Sequence, residues 1–354
     1  MSESAAVWSE RGTTPAKIDA ALRELLKERR AHGERYAPAR VLNLVVVADR
    51  DWQGEILNRL EGVGRYHASR TIVCAVEDGR DEIDAWASME AEEDDIVAGR
   101  LAVAHEDVVL ELGTQHLEHL DRIVDPLVVT DLPTVVWSPH GHPEAVDALL
   151  GLAQVVLIDS VTEPSARGAL DRAASLAEQA YVVDLAWLRS TPWRERVAST
   201  FDPPQWRPEL ACISGFTVRY CPDSEAAAAL LVGWLGNRLG WTPGPLTGEP
   251  GSLHGTARGD DGDIAISLEA DPSMPIPGLS GVTVETRSGL MLTLDRGAGG
   301  LRARRTTTEG EQSWTVLGAS RGEAGILGEG IRQALLRDKG YGPALAAARE
   351  MICQ

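Results

Sequence analysis

The chain has 354 residues, a mass of 38.0 kDa and a formal net charge of −19. This length accommodates two domains, and the share of apolar (44%) and charged (25%) residues excludes a disordered, collagen-like or membrane-spanning chain. The acidic charge repels phosphate backbones and anionic lipids, so we expect neither nucleic acid nor a membrane as a partner. The start has no signal-peptide pattern, and we expect a cytoplasmic protein.

The lysines and cysteines exclude a P-loop nucleotide site and a CxxC motif. The three lysines are Lys17, Lys27 and Lys339, and none is followed by serine or threonine, as a Walker A loop requires. The four cysteines are Cys74, Cys212, Cys221 and Cys353, and none forms a CxxC pair. We expect free thiols, because Cys212 and Cys221 flank one extended segment whose ends lie too far apart to bridge.

The first predicted element is an amphipathic helix over residues 13–33, with Pro15 in its first turn. One stripe of the helix is apolar and consists of Ile18, Leu22, Leu25 and Leu26. Such a stripe must pack on its own domain or on a partner. We assign residues 1–39 to this N-terminal helical segment.

Residues 40–180 alternate between strands and helices, which predicts a Rossmann-like, largely parallel sheet. The predicted strands are 40–48, 70–76, 101–112 (one or two strands), 134–137 and 154–159. The predicted helices are 51–60, 116–128, 146–153 and 164–180. The acidic stretch 77–95 is interpreted as a solvated helix and loop, or as a docking site for a basic partner.

Residues 181–354 have a different pattern, which predicts an α+β domain with antiparallel strands. The predicted strands are 213–220, 263–269, 281–287, 290–296, 301–307 and 313–317, and the predicted helices are 224–239 and most of 323–351. The Gly- and Pro-rich residues 240–262 are expected to form an exposed loop.

The glycine-rich turn of a dinucleotide-binding fold is missing after the first strand. There the chain reads ADRDWQGEIL, and the following GxG at Gly62 and Gly64 has His67 at the third glycine position. Ser252 and Ser280 lack the flanking glycines of a GxSxG nucleophile elbow. From these patterns we predict no catalytic residues and no cofactor-binding residues.

Two polar groupings leave alternatives open. The four histidines His116, His119, His140 and His142 are either metal ligands or surface side chains, and we expect no metal. Asp49 and Asp159 each end a predicted parallel strand, where they either cap the next helix or line a ligand crevice together with Ser160.

Tryptophan is unusually frequent, with ten residues against two phenylalanines, and five of the ten fall within residues 187–241. The segment DLAWLRSTPWRERV combines tryptophan and arginine, the residues that dominate interface hot spots. We predict that five of its residues bind a partner: Asp184, Trp187, Arg189, Trp193 and Arg194. The alternative is that the tryptophans form the core between the two domains, with Thr191 and Pro192 starting a helix.

The segment VVDLAWLRSTPWRERVASTFD resembles the Asp-Leu-x-Trp-x-Arg-x-x-x-Trp-Arg segment of the OpcA family, the glucose-6-phosphate dehydrogenase assembly proteins. Further matches occur in the family's order over residues 40–240, among them RVLNLVVVA, SRTIVCAV, DLPTVVWSP before HPEAV, and VVLIDS before a long helix.

The resemblance implies a non-catalytic subunit that binds glucose-6-phosphate dehydrogenase and activates it allosterically, at the entry to the oxidative pentose phosphate pathway. The dehydrogenase, rather than this chain, would bind NADP and the sugar phosphate. The alternative is an enzyme or a small-ligand-binding protein that uses the crevice near Asp49, Asp159 and Ser160.

Overall fold

The computed structural model describes residues 6–31, 36–37, 40–64, 69–91, 102–297, 299–317 and 322–352. The chain forms two compact units, which we call unit 1 (Met1–Ile158 and Gln179–Val183) and unit 2 (Asp159–Glu178 and Asp184–Gln354). The domain limits 1–39, 40–180 and 181–354 stay predictions. In the described ranges no helix is long and apolar enough to cross a membrane.

The first sheet is built on a parallel core. Its strands are β1 Ala6–Glu10, β2 Tyr36–Ala37, β3 Leu42–Asp49, β4 Ser69–Val76, β5 Asp84–Ala91, β6 Ala102–Leu112, β7 Thr134–Trp137, β8 Val155–Ile158 and β9 Tyr181–Asp184. They lie in the order β1-β5-β6-β4-β3-β7-β8-β9, with β2 beside β6. Strands β6, β4, β3, β7 and β8 pair in parallel, and β5 and β1 continue the sheet in antiparallel pairing.

The strand order identifies the topology. Numbered along the chain, β6-β4-β3-β7-β8-β9 is the 3-2-1-4-5-6 order of a dinucleotide-binding Rossmann sheet. Strands β3 and β4 are buried along almost their whole length, as continuous apolar runs predict for parallel strands. The order reverses between β3 and β7, and this switch point is where such sheets bind ligands.

The helices of unit 1 are α1 Pro15–Ala31, α2 Gln53–Gly64, α3 Asp121–Val124 and α4 Pro143–Leu149. The apolar stripe of α1 packs within unit 1, because Ile18, Leu22 and Leu25 are buried and the helix contacts β1 and β5. Its predicted end at Gly33 lies outside the described residues.

Two predictions for unit 1 are wrong. Residues 84–91 form strand β5 instead of a solvated helix and loop, and residues 92–95 of that acidic stretch lie outside the described residues. The helix predicted over 116–128 is a series of short turns around α3. Pro126 lacks an amide hydrogen and lies in the last of these turns.

Unit 2 contains a second, mostly antiparallel sheet. Its helices are α5 Ala166–Ala177, α6 Leu185–Arg189, α7 Thr191–Phe201, α8 Glu225–Leu239, α9 Gly322–Leu336 and α10 Tyr341–Met351. Its strands are β10 Ile213–Tyr220, β11 Thr242–Pro243, β12 Thr247–Glu249, β13 Ser252–Gly259, β14 Gly262–Ala270, β15 Leu279–Thr286, β16 Met291–Gly297, β17 Gly300–Thr307 and β18 Gly310–Leu317. Of the pairings, β10 with β14 is parallel and the others are antiparallel.

The predicted fold class is confirmed, a Rossmann-like sheet followed by an α+β part with antiparallel strands. Helix α8 packs on β10 and against α10. A Cβ atom at Gly233 would lie 2.4 Å from the carbonyl oxygen of Ala344, so this glycine allows α8 and α10 to approach closely. The exposed loop predicted over 240–262 is wrong, because most of it forms β11, β12 and β13.

Candidate functional site

The Trp/Arg segment folds into two short consecutive helices in unit 2. Helix α6 begins after Asp184, whose side chain accepts a hydrogen bond from the amide of Ala186 at 2.9 Å. Ser190 separates α6 from α7, and Pro192 lies in the first turn of α7, where a missing amide hydrogen costs nothing. The hydroxyl of Ser190 donates to the carbonyl of Trp187 at 2.7 Å and fixes the corner between the helices.

Asp184 is completely buried in a polar cluster. Its Oδ1 accepts from the amide of Ser160 at 3.2 Å, and its Oδ2 accepts from the hydroxyls of Ser160 and, at 3.4 Å, Tyr341. Burial, together with the negative charge of Asp159, raises the pKa of Asp184 to about 6 in spite of these hydrogen bonds. The carboxyl group therefore holds the start of α6 to Ser160 and α10.

Asp184→Asn is expected to flatten the pH dependence of stability between pH 4 and pH 6. An unfolded aspartate titrates near pH ~3.9, so below about pH 6 the folded chain keeps a proton that the unfolded chain releases. The stability from this proton is fully present below pH ~4 and is lost as the pH rises through about 6. The full contribution is about 3 kcal/mol.

Urea unfolding at half-unit steps from pH 4 to pH 7 tests this expectation. The free energy of unfolding of the wild-type protein minus that of Asp184→Asn should fall across this window, since the amide keeps an acceptor oxygen but has no charge to desolvate. Parallel pH profiles for the two proteins would contradict it.

Asp159 and Arg189 form a bidentate ion pair within unit 2. The Arg189 Nη1 and Nη2 atoms donate to the two carboxylate oxygens at 2.8 and 2.7 Å, and both side chains are largely buried. Asp159 also accepts from the amide of Val161 at 3.3 Å in a local turn. The capping alternative is wrong for Asp159, because Ser165 caps the following helix α5. This pair ties α6 to residues 159–161.

Trp187 and Arg194 form the centre of the segment. The Arg194 guanidinium carbon lies 3.5 Å from the centre of the Trp187 ring, a cation–π contact between α6 and α7. The indole Nε1 donates to Asp338 at 2.8 Å, and Asp338 also lies 3.7 Å from Arg194 Nη1. Burial lowers the pKa of Arg194 to about 10, which leaves it charged at neutral pH.

The tryptophans of this segment are core residues in unit 2. Trp187 and Trp193 are each 2% exposed, and Trp193 shares one face of α7 with buried Val197 and Phe201. Direct contact of Asp184, Trp187, Arg189, Trp193 and Arg194 with a partner stays a prediction. Their burial agrees with the alternative that they build the core and support a surface beside them.

That surface is a pocket of about 340 Å³ within unit 2, which we call the signature pocket. Arg194 and Asp338 reach it from the buried side, and its lining also includes Glu195, Trp234 and Arg332. Glu195 is exposed on α7, and the side chain of Arg332 on α9 is about half exposed. The pocket thus combines an aromatic wall with charges of both signs.

The switch point of unit 1 is filled by the chain's own side chains. The ring of Trp52, which follows β3, stacks on His140, which follows β7, with centroids 4.7 Å apart and planes at 18°. His142 Nε2 lies 2.9 Å from Asp49 Oδ1 across the same two strand ends. Where a dinucleotide fold has a glycine-rich turn, unit 1 has a short 3-10 turn over Arg50–Trp52.

The histidines do not form a metal centre. His116 Nε2 lies 3.3 Å from the Asp81 carbonyl oxygen, and His142 contacts Asp49. Throughout the part of the chain that the structure describes, no group of three or more His, Cys, Asp or Glu side chains could hold a metal ion. Cys74, Cys212 and Cys221 are free, as predicted, and Cys353 lies outside the described residues.

Sequence reasoning missed two residues of the site. Asp338 accepts from Trp187 over a separation of 151 residues, and Tyr341 reaches Asp184 over 157 residues. Neither belongs to a local motif, so only the fold or a comparison of many relatives could reveal these pairs.

The class of protein follows from three features: the strand order of the first sheet, the filled switch point and the mixed second sheet. They define a Rossmann-type protein without the glycine-rich dinucleotide turn. Two family models match the chain, described as the N-terminal and C-terminal domains of a glucose-6-phosphate dehydrogenase subunit, over residues 61–175 and 180–345. The chain belongs to the OpcA family of glucose-6-phosphate dehydrogenase assembly proteins.

Individual relatives agree with this assignment. The chain is 29% identical to OpcA proteins of Synechocystis sp. over 150 residues and of Synechococcus elongatus over 142 residues. The matches cover 41% and 39% of this chain but only 32% of each relative, so the chain matches about a third of their length.

Solved structures share the fold at low identity. The 3-ketoreductase KijD10 from Actinomadura kijaniata, solved with TDP-benzene and NADP, is similar with a TM-score of 0.52 and 12% identity. The match covers 88% of this chain and 95% of that protein. At this identity the likeness shows a common fold and nothing of the activity.

Proposed function

We propose that this protein is a non-catalytic assembly factor and allosteric activator of glucose-6-phosphate dehydrogenase, acting in the cytoplasm in the oxidative pentose phosphate pathway. The observation that carries the proposal is the match of two dehydrogenase-subunit domain models to residues 61–175 and 180–345. Together they include the Trp/Arg segment and the β7 side of the switch point with His140 and His142, whereas Asp49 and Trp52 lie before residue 61.

The geometry of unit 1 supports binding rather than catalysis. The crevice that a Rossmann enzyme uses for its cofactor is occupied by the Trp52–His140 stack and the Asp49–His142 contact. The side chains proposed for the alternative ligand crevice already bind other residues of the chain. Asp159 is paired with Arg189, and Ser160 donates to Asp184. No observation favours an enzymatic role for Asp49, Asp159 or Ser160.

The signature pocket is our candidate contact surface for the dehydrogenase. Its buried wall is the Trp/Arg segment, and its rim offers the exposed charges of Glu195 and Arg332. Arginine and tryptophan beside a small concave site are typical of interface hot spots. In this proposal Trp187 and Arg194 shape the pocket, and the rim residues make the charged contacts.

Activation requires unequal binding to two states of the dehydrogenase. If this protein binds the active oligomer more tightly than the inactive form, it shifts the population toward the active oligomer. The shift can only be as large as the ratio of the two affinities.

Adding the purified protein to purified dehydrogenase from the same organism tests the proposal. We expect higher NADP reduction at a fixed glucose 6-phosphate concentration, and a larger dehydrogenase oligomer by light scattering after size-exclusion chromatography. Unchanged activity together with unchanged oligomer size would refute the proposed function.

A charge reversal at the rim tests the contact surface. Arg332→Glu is expected to raise the concentration needed for half-maximal activation by about tenfold, because a rim charge is then placed against its former partner. Arg23→Glu reverses a more exposed arginine on α1, which pairs with an acidic residue of its own helix as Arg332 does, and should leave activation unchanged. If both variants activate the dehydrogenase equally well, the signature pocket is not part of the interface.

A further inference from the structure

Unit 1 contains a concave site of its own. It is a cavity of about 800 Å³, which we call the edge cavity, at the carboxyl ends of β3 and β6. Its volume lies within the range of small-molecule sites, about 300–1,000 Å³. Residues of β1, β5, β6 and α2 line it.

One side of the edge cavity is apolar and contains a tryptophan. Trp86 on β5 lies opposite Val109 on β6 in the sheet register, so the two side chains share one face. Both line the cavity, and Leu57 of α2 adds a further apolar wall. A flat ring placed against this wall would bury apolar area and stack on the indole.

The other end of the edge cavity is a fixed array of hydrogen-bonding groups. Arg80 donates to Asp84 at 2.7 Å and to Glu111 at 2.8 Å, and those carboxylates lie opposite each other on β5 and β6. The amide of Gly12 donates to Asp84 at 2.9 Å and, with Arg80, lowers the pKa of that carboxyl group. Asp84 is therefore an ionised acceptor held in place, and Arg80 holds Glu111 beside it.

The positive charge at this end is already neutralised. The charged lining consists of three arginines and three carboxylates, namely Arg11, Arg50, Arg80, Glu10, Asp84 and Glu111. Outside the lining, Glu77 also accepts from both Arg50 and Arg80. A phosphate would meet no excess of positive charge here, whereas hydroxyl groups would meet oriented acceptors. Gln53 adds an amide to the same wall.

We propose that the edge cavity binds a nucleoside, with the base against Trp86 and Leu57 and the sugar diol donating to Glu111 and Asp84. The fold offers a reason for this class. In a Rossmann sheet the ribose lies near the end of the second strand, and the remaining parts of a dinucleotide extend to the switch point. Here the switch point is closed by Trp52 and His140, so only the nucleoside half of such a site is open.

Isothermal titration of the full chain with adenosine, guanosine, cytidine and uridine tests the proposal without the dehydrogenase, so its outcome is independent of the proposed function. We expect saturable binding at one site per chain for at least one nucleoside. Its 2′-deoxy form should bind about tenfold more weakly, because one hydroxyl donor to a carboxylate is lost. Its 5′-monophosphate should bind no more tightly than the nucleoside.

Two variants assign the binding to the edge cavity. Trp86→Leu and Glu111→Gln should each weaken binding about tenfold, through lost stacking and a lost charged acceptor. Trp314→Leu, at a partly exposed tryptophan of β18 in unit 2, should bind as the wild type does. Thermal unfolding checks that each variant is folded.

Three results would overturn the proposal. They are no saturable binding of any of the four nucleosides, wild-type affinity in both cavity variants, or tighter binding of the monophosphate than of the nucleoside.

Discussion

Trp187→Ala is expected to lower the free energy of unfolding by about 4 kcal/mol, the usual cost of removing a fully buried tryptophan. The ring is 2% exposed and lies against the Arg194 guanidinium and, edge to face, against Tyr341 at 5.7 Å. Its removal leaves a cavity, and Asp338 loses the hydrogen bond from the indole. Both effects destabilise unit 2.

Urea unfolding followed by circular dichroism measures this effect against two controls. Trp187→Phe keeps a ring under Arg194 but loses the N–H donor, so its cost should be about 1–2 kcal/mol. Trp52→Ala removes a 44% exposed tryptophan and should cost less than about 1 kcal/mol. A Trp187→Ala protein as stable as the Trp52→Ala protein would contradict the core assignment.

The same variant separates the two interpretations of the Trp/Arg segment. If Trp187 is a core residue, activation of the dehydrogenase should fall in proportion to the folded fraction. If Trp187 contacts the partner directly, activation would be lost in a protein that is fully folded. The burial of the side chain favours the first result.

The parallel core of the first sheet was predictable because its strands are buried on both faces. Such strands appear as unbroken apolar runs, and the predictions for β3, β4 and β7 lie within about two residues of the observed bounds. Strand β10 was predicted with its observed bounds, since Ile213, Phe216, Val218 and Tyr220 are buried while the residues between them are mostly less so. Unbroken apolar runs therefore made β3, β4 and β7 predictable, and alternation of apolar residues made β10 predictable.

The strands that the sequence did not predict lack both an apolar run and a clear alternation. In β5 the buried side chains include Ala85, Ala87 and Met89, and the acidic residues around them masked a weak alternation. In β13 a Cβ atom at Gly255 would lie 2.6 Å from the Pro245 carbonyl oxygen, so glycine is present for close backbone approach within a sheet. A prediction from composition alone assigns such a glycine to a loop.

The candidate site was only half predictable. The Trp/Arg segment is contiguous in sequence, so its composition and its resemblance to a family were visible. Its partners Asp338 and Tyr341 come from a helix end more than 150 residues away. Burial of Trp187 and Trp193 also follows from tertiary packing, which a local pattern cannot distinguish from an exposed hot spot.

Glu106→Ala is expected to be as damaging to unit 1 as Trp187→Ala is to unit 2. Glu106 on β6 is completely buried and accepts from Arg70 Nε at 2.8 Å and from Arg40. The variant leaves two largely buried guanidinium groups without their counter-charge, which costs about 3–5 kcal/mol. Arg70 also donates to the Leu127 carbonyl at 2.7 Å, so it cannot turn to solvent without losing a second bond.

A double variant shows whether the cost comes from the unpaired charge. Glu106→Leu with Arg70→Leu removes one guanidinium together with the carboxylate, and it should be more stable than Glu106→Ala because fewer charges stay buried without a partner. Glu118→Ala, at an exposed glutamate, is the control and should change stability by less than about 0.5 kcal/mol. If the double variant is the less stable of the two, the ion pair stabilises unit 1 by more than it costs to bury, and the unpaired-charge explanation fails.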